Sequence, residues 1–335
     1  MTPQPVVIHV GTRRSGLALK QTEIVVNALQ KAHPHAQFEV HPLSVAGDRD
    51  KTTPLPELGK GLWTSELEAQ LVTKELDMIV HSLKDMPTTL PDGCVLGCVT
   101  AREDPRDVVV FRQADKYHKL ADLPDGSIVG TSSVRRAAQL RRRYPGLKFK
   151  DVRGNIDTRL KKVETDEYDC TILAAAGLLR MGFDGRIGQY LESGTEGGGL
   201  LHAVGQGALG IEVRRDDERV LGMLQSIIDL PTMLACFAER SLMRTLEGGC
   251  SVPIGVETSW VEPGKKLGLR AVVVSLDGAE GVEAERTAEV ATLAQADEFG
   301  VKIAQDLVEK GAQRILDVIN TGRDGHTGAL KLGNA

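Results

Sequence analysis

Apolar and polar positions along this chain switch between the period of a strand and the period of a helix. Residues 6–10 form a short apolar run that predicts a strand, and Ser15 stands where an N-cap is needed for a helix carrying Leu17, Ile24, Val25, Ala28 and Leu29 until Pro34 stops it. A second strand is predicted over 38–45. Ser65 and Glu68 have capping-box spacing ahead of a helix with Leu67, Leu71 and Val72 on one face, and residues 77–80 run as a strand into His81. Apolar runs at 107–111, 127–130 and 170–174 are separated by helical patterns at 134–143 and 155–163. Such alternation predicts an α/β core of buried, mostly parallel strands. After Pro231 the texture changes to a helix at 233–246, a strand at 267–276, an Asp277-Gly278 turn, a strand at 282–290, and a long helix with Phe299, Ile303, Leu307 and Val308 on one face. That predicts a separate, smaller α+β unit. The Gly-rich patch 194–199 reads as a flexible loop, and the tail from Thr321 is expected to fray.

At 335 residues, 41% apolar and 26% charged, the chain is too long for one ordinary core and suits two or three domains. Its five cysteines (94, 98, 170, 236 and 250) form no disulfide framework and point to a reducing compartment, and no zinc-ligand spacing is present, so no metal is expected. There is neither a leader pattern at the N-terminus nor a stretch of membrane-spanning length, which predicts an unprocessed cytoplasmic protein. The net charge of −5 argues against a general nucleic-acid binder. Residues 130–162 nevertheless hold seven Arg and four Lys against Asp151 and Asp157, a window of +9 that leaves −14 elsewhere and implies a polyanionic ligand.

Gly205, Gly207 and Gly210 match G-x-G-x-x-G, but Ile211-Glu212-Val213 continues as strand where a dinucleotide site needs a helix. Gly59-Lys60 fails as a phosphate loop because Pro54 replaces its first glycine. Better candidates lie at the carboxyl ends of strands, where α/β folds collect ligands. Residues 78–87 run from an apolar strand into Lys84 and Asp85, which read either as site residues or as an exposed pair at a loop start. Thr131, Ser132 and Ser133 open a helix that continues into Arg135 and Arg136, a combination of free N–H groups, hydroxyls and planar forks suited to carboxylates. Arg153, Arg159 and Arg180, together with Arg13 and Ser15, repeat that pattern at other strand–helix junctions. Arg141, Arg142 and Arg143 read as the solvated end of a helix. Cys250, in a Gly-Gly-Cys turn, reads equally as a reactive thiol or a small buried hydrophobe, and the second reading suits Cys170 and Cys236.

Seven ordered segments, HSLKDMP (81–87), EDPRD (103–107), GSIVGTSSVRR (126–136), RGNIDTRL (153–160), LAAAGL (173–178), AVGQGALGIE (203–212) and EGGCSVPIG (247–255), resemble the motifs of the porphobilinogen deaminases, or hydroxymethylbilane synthases, across about 8–320. The resemblance implies an α/β fold of two periplasmic-binding-protein-like lobes with mostly parallel sheets, plus a smaller α+β C-terminal domain. The expected divisions are 1–103 with 204–228, 104–203, and 229–335. It implies a transferase that polymerises four porphobilinogen molecules into hydroxymethylbilane on a dipyrromethane cofactor joined by a thioether to Cys250. Asp85 matches the catalytic carboxylate. Arg13, Ser15, Lys84, Thr131, Ser132, Ser133, Arg135, Arg136, Arg153, Arg159 and Arg180 match residues that hold acetate and propionate groups. A monomer without nucleic-acid or membrane partners is expected, with hinge movement near 100–107 and 199–207. Trp63, Leu58 and Ser65 depart from the family pattern around Lys60. Two alternatives are a solute sensor of the same two-lobed fold, which leaves Cys250 and the last domain without a purpose, and a nucleic-acid binder, which the net charge and 4% aromatic content disfavour.

Overall fold

In this computed structural model residues 6–49, 63–165, 167–194, 199–246 and 252–329 are described. Along the chain, β1 (Val7–Arg13) leads through α1 (Gly16–Ala32) to β2 (Gln37–Leu43), and α2 (Ala46–Arg49) and α3 (Ser65–Val72) precede β3 (Met78–Ser82) and β4 (Cys94–Val99). The chain then enters a second region with β5 (Asp107–Phe111), β6 (Ile128–Gly130), α4 (Val134–Arg143), β7 (Lys148–Lys150), α5 (Ile156–Val163), β8 (Cys170–Ala174), α6 (Ala175–Arg180) and β9 (Gln189–Leu191). It returns for β10 (Leu209–Arg214) and α7 (Glu218–Leu224). The last part holds α8 (Leu230–Thr245), β11 (Ile254–Glu262), β12 (Lys266–Val274), β13 (Gly281–Glu289), α9 (Leu293–Glu309) and α10 (Ala312–Ala329).

Three sheets result, in the orders β2-β1-β3-β10-β4, β7-β6-β8-β5-β9 and β11-β12-β13. The parallel character expected of the first two sheets holds for half of their pairings. β1 runs parallel to β2 and β3, and β6 to β7 and β8, whereas β10 is antiparallel to β3 and β4, and β5 to β8 and β9. The physical reason is the connection: β5 and β10 each enter their sheet from the other region, not through a crossover helix, and so arrive reversed. Period-two alternation explains the continuous apolar runs. Met78 and Val80 pack with Val25 and Leu29 of α1, while Ile79 between them packs with Leu67 and Leu71 of α3. In the third sheet Leu267, Leu269, Ala271 and Val273 face Leu242, Phe299, Ile303 and Leu307, and Val272 and Val274 meet Ala138 and Leu201 of the second region.

Several expectations change. Thr64, not Ser65, is the N-cap of α3 and makes no side-chain cap bond, and Glu68 is drawn into the interior instead of completing a capping box. Val308 is 41% exposed, one position outside the buried stripe of α9. The chain does not leave helix at Thr321, since α10 continues to Ala329. Arg141 and Arg142 are not a purely solvated helix end: Arg141 Nη1 donates to the Leu276 carbonyl at 2.7 Å and Arg142 Nη1 to the Ala279 carbonyl at 2.9 Å, fastening α4 to the turn after β12. Among the described residues no single helix is long and apolar enough to cross a membrane.

Candidate active site

Where β3 ends, the buried side chains of Leu83 and Met86 pin a single 3-10 turn whose intervening residues are Lys84 and Asp85. The Leu83 amide donates to the Ala208 carbonyl at 3.0 Å, so β10's approach fixes the turn. From α8, buried Arg240 donates to the carbonyls of Met86 (3.1 Å) and Pro87, bracing the same loop from the third unit. Asp85 lines a small cavity with Arg13, Gln21, Trp63, Thr64, His81 and Ser82. Arg13, at the end of β1, places Nη1 3.9 Å from Asp85 Oδ2 and its guanidinium 4.1 Å from the Trp63 ring centroid, a cation–π contact that orients the fork. Ser15 caps α1, accepting from the Ala18 amide at 3.4 Å.

The second sheet contributes the remaining candidates. Thr131 Oγ1 accepts from the Ser133 amide, Ser132 Oγ donates to the Val152 carbonyl at 3.0 Å, and Ser133 caps α4. Arg135 and Arg136 do not stand open. Both are buried against Asp107, itself fully buried, with Nη1 of Arg135 and Nη2 of Arg136 each 2.7 Å from a carboxylate oxygen. They also donate to the carbonyls of Leu201 and Ile172. Burial alone would raise the Asp107 carboxyl pKa, but the charges of the two arginines outweigh it and hold it well below the carboxylate range. Arg159 differs. Its Nε donates to the Gly154 carbonyl at 2.8 Å, and no carboxylate among the described residues pairs with it. Burial, with Arg136 and Arg153 pressing the same way and Asp85 opposing, pushes its pKa down to about 10. Arg153 lies half-buried beside it at the start of α5. Arg180 Nη2 donates to the Gly207 carbonyl at 2.7 Å.

Gln206 joins the two regions. Its Oε1 accepts from Lys84 Nζ at 3.4 Å, and its Nε2 donates to Asp107 Oδ1 at 2.9 Å and to the Pro105 carbonyl at 2.7 Å. Burial is the main force pushing the Lys84 pKa down to about 8; Arg136 and Arg135 add to it, while Asp85 and Asp107 resist. The decoy glycines serve this crossing. Gly207 has φ +87°, and a Cβ there would sit 2.2 Å from the Glu103 carbonyl oxygen, so the segments joining the sheets can run side by side only with glycine. Arg102 and Glu239, both missed in the sequence, lock the crossing to α8: Arg102 Nη1 lies 2.6 Å from Glu239 Oε1, and Glu239 Oε2 accepts from the Gly205 amide at 2.7 Å. A charged pair inside the otherwise apolar face of α8 was the available signal. Beneath the Asp85 cavity, His81 Nε2 lies 3.0 Å from Glu212 Oε2, and Glu68, also buried, has its pKa raised by burial and by Glu212. Cys250, Lys60 and Leu58 lie outside the described residues, as does the centre of the 194–199 patch.

Lys84, Arg135, Arg136, Arg153 and Arg159 act on one another's charge where the first two regions meet, with Asp85 in front of them and Asp107 behind. Residues 8–222 match the family described as "Porphobilinogen deaminase, dipyromethane cofactor binding domain", and residues 233–309 match "Porphobilinogen deaminase, C-terminal domain". The chain is 60% identical to porphobilinogen deaminase of Neurospora crassa, each covered completely, and 48% identical to that of Saccharomyces cerevisiae, with 95% of this chain and 99% of the relative covered. Among solved structures, a VFT2 domain of Bordetella pertussis BvgS is similar at 18% identity and TM-score 0.41, covering 67% of this chain and 87% of that one. The Bacillus subtilis extracellular-binding protein YtmK is similar at 13% and TM-score 0.38, covering 69% and 96%.

Proposed function

The chain belongs to the porphobilinogen deaminase family, and on that premise we propose that Asp85 is its catalytic carboxylate and Cys250 its point of cofactor attachment. It is a transferase that deaminates porphobilinogen and joins four units head to tail into hydroxymethylbilane, for tetrapyrrole and haem biosynthesis, with a dipyrromethane cofactor. The observation that carries the site reading is the convergence of Arg13, Lys84 and Arg159 on the neighbourhood of Asp85, with Arg159 half-buried and bonded to no carboxylate among the described residues. Acetate and propionate groups supply what those cations need, so the residues present fit the cofactor as well as the substrate. When bound, the dipyrromethane supplies the pyrrole carbon to which the first unit is joined.

Porphobilinogen loses its aminomethyl nitrogen as ammonia, leaving a methylene-pyrrolenine cation whose charge reaches the ring nitrogen. Asp85 accepts a hydrogen bond from the pyrrole N–H, offsets the developing charge, and receives the proton lost when the new carbon–carbon bond forms. Arg13, Lys84, Arg153, Arg159 and Arg180, with Ser15, Thr131, Ser132 and Ser133, hold carboxylates. Arg135 and Arg136, whose charge Asp107 answers, are chiefly the scaffold of the site, and only the donors they have left are offered to early ligand carboxylates. The domains divide at 1–103 with 204–228, 104–203 and 229–335, a reading supported by β10 lying within the first sheet, and the growing product is accommodated by movement at the two crossings. The enzyme acts as a monomer, since one chain supplies both sides of the site, and in the cytoplasm, where the free thiols of Cys94, Cys98, Cys170 and Cys236 are stable.

Single-turnover ammonia release tests the central role. Asp85→Asn keeps shape and hydrogen-bonding capacity but not charge, so the folded, cofactor-loaded variant is expected to bind porphobilinogen and release ammonia orders of magnitude more slowly, roughly 10²-fold or beyond. Release at the wild-type rate would overturn the assignment.

A further inference from the structure

We propose that His9, Glu39 and His41 bind one divalent transition-metal ion of the Zn²⁺ class on the first sheet, away from the active site. The register of two parallel strands creates the cluster. His9 of β1 lies opposite Glu39 of β2, and His41 follows Glu39 by two residues, so strand periodicity returns it to the same face. Opposite His41 stands Gly11, where the space of a side chain is taken by Leu76 of the core, so the cluster sits at the edge of that apolar packing.

His9 Nδ1 is 3.0 Å from His41 Nε2 and 3.6 Å from Glu39 Oε2, and all three ligand atoms lie within 4.8 Å of one another. With metal–ligand bonds of about 2.0–2.1 Å, two donors on a tetrahedral ion stand roughly 3.3 Å apart, a value that the two shorter distances bracket. The imidazole planes are tilted 54° instead of stacked, so the nitrogen edges meet and the faces do not. Two imidazoles and one carboxylate form a donor set suited to Zn²⁺, with room for water at a fourth position. The side chains of His9 and Glu39 are 39% and 44% exposed, which gives an ion access. The thiols that could compete are poor alternatives: burial raises Cys94 and Cys98 to about 11 and about 12, keeping them protonated and enclosed. β2 is the edge strand of its sheet, and a bound ion would cross-link it to its neighbour β1.

The test uses the untagged, cofactor-loaded full chain in a non-chelating buffer, with ZnCl₂ followed by calorimetry and CoCl₂ by visible absorption. Wild type is expected to take up one equivalent, to show the bands of four-coordinate Co²⁺, and to melt at a higher temperature with Zn²⁺ present. His9→Gln and His41→Gln, alone and combined, are expected to lose all three signals while keeping the metal-free melting temperature and enzyme activity. Glu39→Gln weakens binding without abolishing it. The alternative is an imidazole–imidazole hydrogen bond that never yields to a metal. No uptake by wild type, or equal uptake by the double variant, would establish that alternative and overturn the proposal.

Discussion

The beginnings of α4 and α5 carry the same signal, arginines just past a strand, yet the structure treats them oppositely. At α4 the guanidiniums of Arg135 and Arg136 close on Asp107 and on backbone carbonyls, and their charge is answered inside the protein. At α5 Arg159 is half-buried, but its neighbours are mostly positive and its pKa is pushed down to about 10. A buried cation already matched by a carboxylate belongs to the fold and is costly to strand, whereas one left in a repulsive field favours whatever anion arrives. Charge-rich motifs therefore contain both scaffold and receptor, and the distinction lies in partners distant in sequence.

The comparison breaks most severely at Asp107. Asp107→Ala leaves two guanidiniums buried without their carboxylate and is expected to cost about 3–5 kcal/mol of stability in urea denaturation. A loss under about 1 kcal/mol would place α4 with α5 as a receptor. Arg159→Leu should do the reverse, preserving stability to within about 1 kcal/mol while weakening cofactor retention or raising KM by roughly tenfold to hundredfold. The measurements are mass-detected cofactor occupancy and steady-state kinetics, and unchanged values for both would remove Arg159 from the site.

Lys84 sharpens the contrast through pH. With its pKa pushed down to about 8, the group is charged below that value and loses its hold on carboxylates as pH rises through it, so kcat/KM is expected to decline on that limb. Lys84→Arg should abolish this limb, and a profile that keeps it would assign the titration elsewhere. Folding responds in the opposite sense. Between about 8 and the ordinary 10.5 the unfolded chain binds a proton that the native state does not, so this group makes stability rise with pH. The smallest effect is expected at Arg142→Leu, which removes hydrogen bonds to the turn after β12 and should cost about 1 kcal/mol in thermal denaturation with catalysis unchanged.

Elements governed by local periodicity were legible in the sequence. The patterns at 107–111, 134–143 and 170–174 coincide with β5, α4 and β8, because burial on both strand faces or one helix stripe leaves a short-range imprint. Ser15 was readable as a cap for the same reason, whereas Ser133, read as an anion ligand, proves to cap α4. What escaped depends on distance along the chain. Asp107 reaches Arg136 across 29 residues, Lys84 reaches Gln206 across 122, and Arg102 reaches Glu239 across 137. Nothing local marks such a partnership. Glu68 shows the converse error: a capping-box spacing was satisfied on paper, but the side chain is buried near His81 and Glu212.

The position of β10 has a consequence for how the molecule is made. It lies between β3 and β4, pairing Ile211 with Val80 and Gly210 with Val99, although every strand of the second sheet is synthesised between β4 and β10. On the ribosome the first sheet thus waits, with β3 and β4 lacking their shared partner, while the second sheet emerges complete. Strands that begin the chain finish folding late, and their apolar residues stay open to other chains meanwhile. A stalled ribosome or a truncation before residue 209 would release a half-built sheet, a substrate for chaperones instead of a smaller working enzyme.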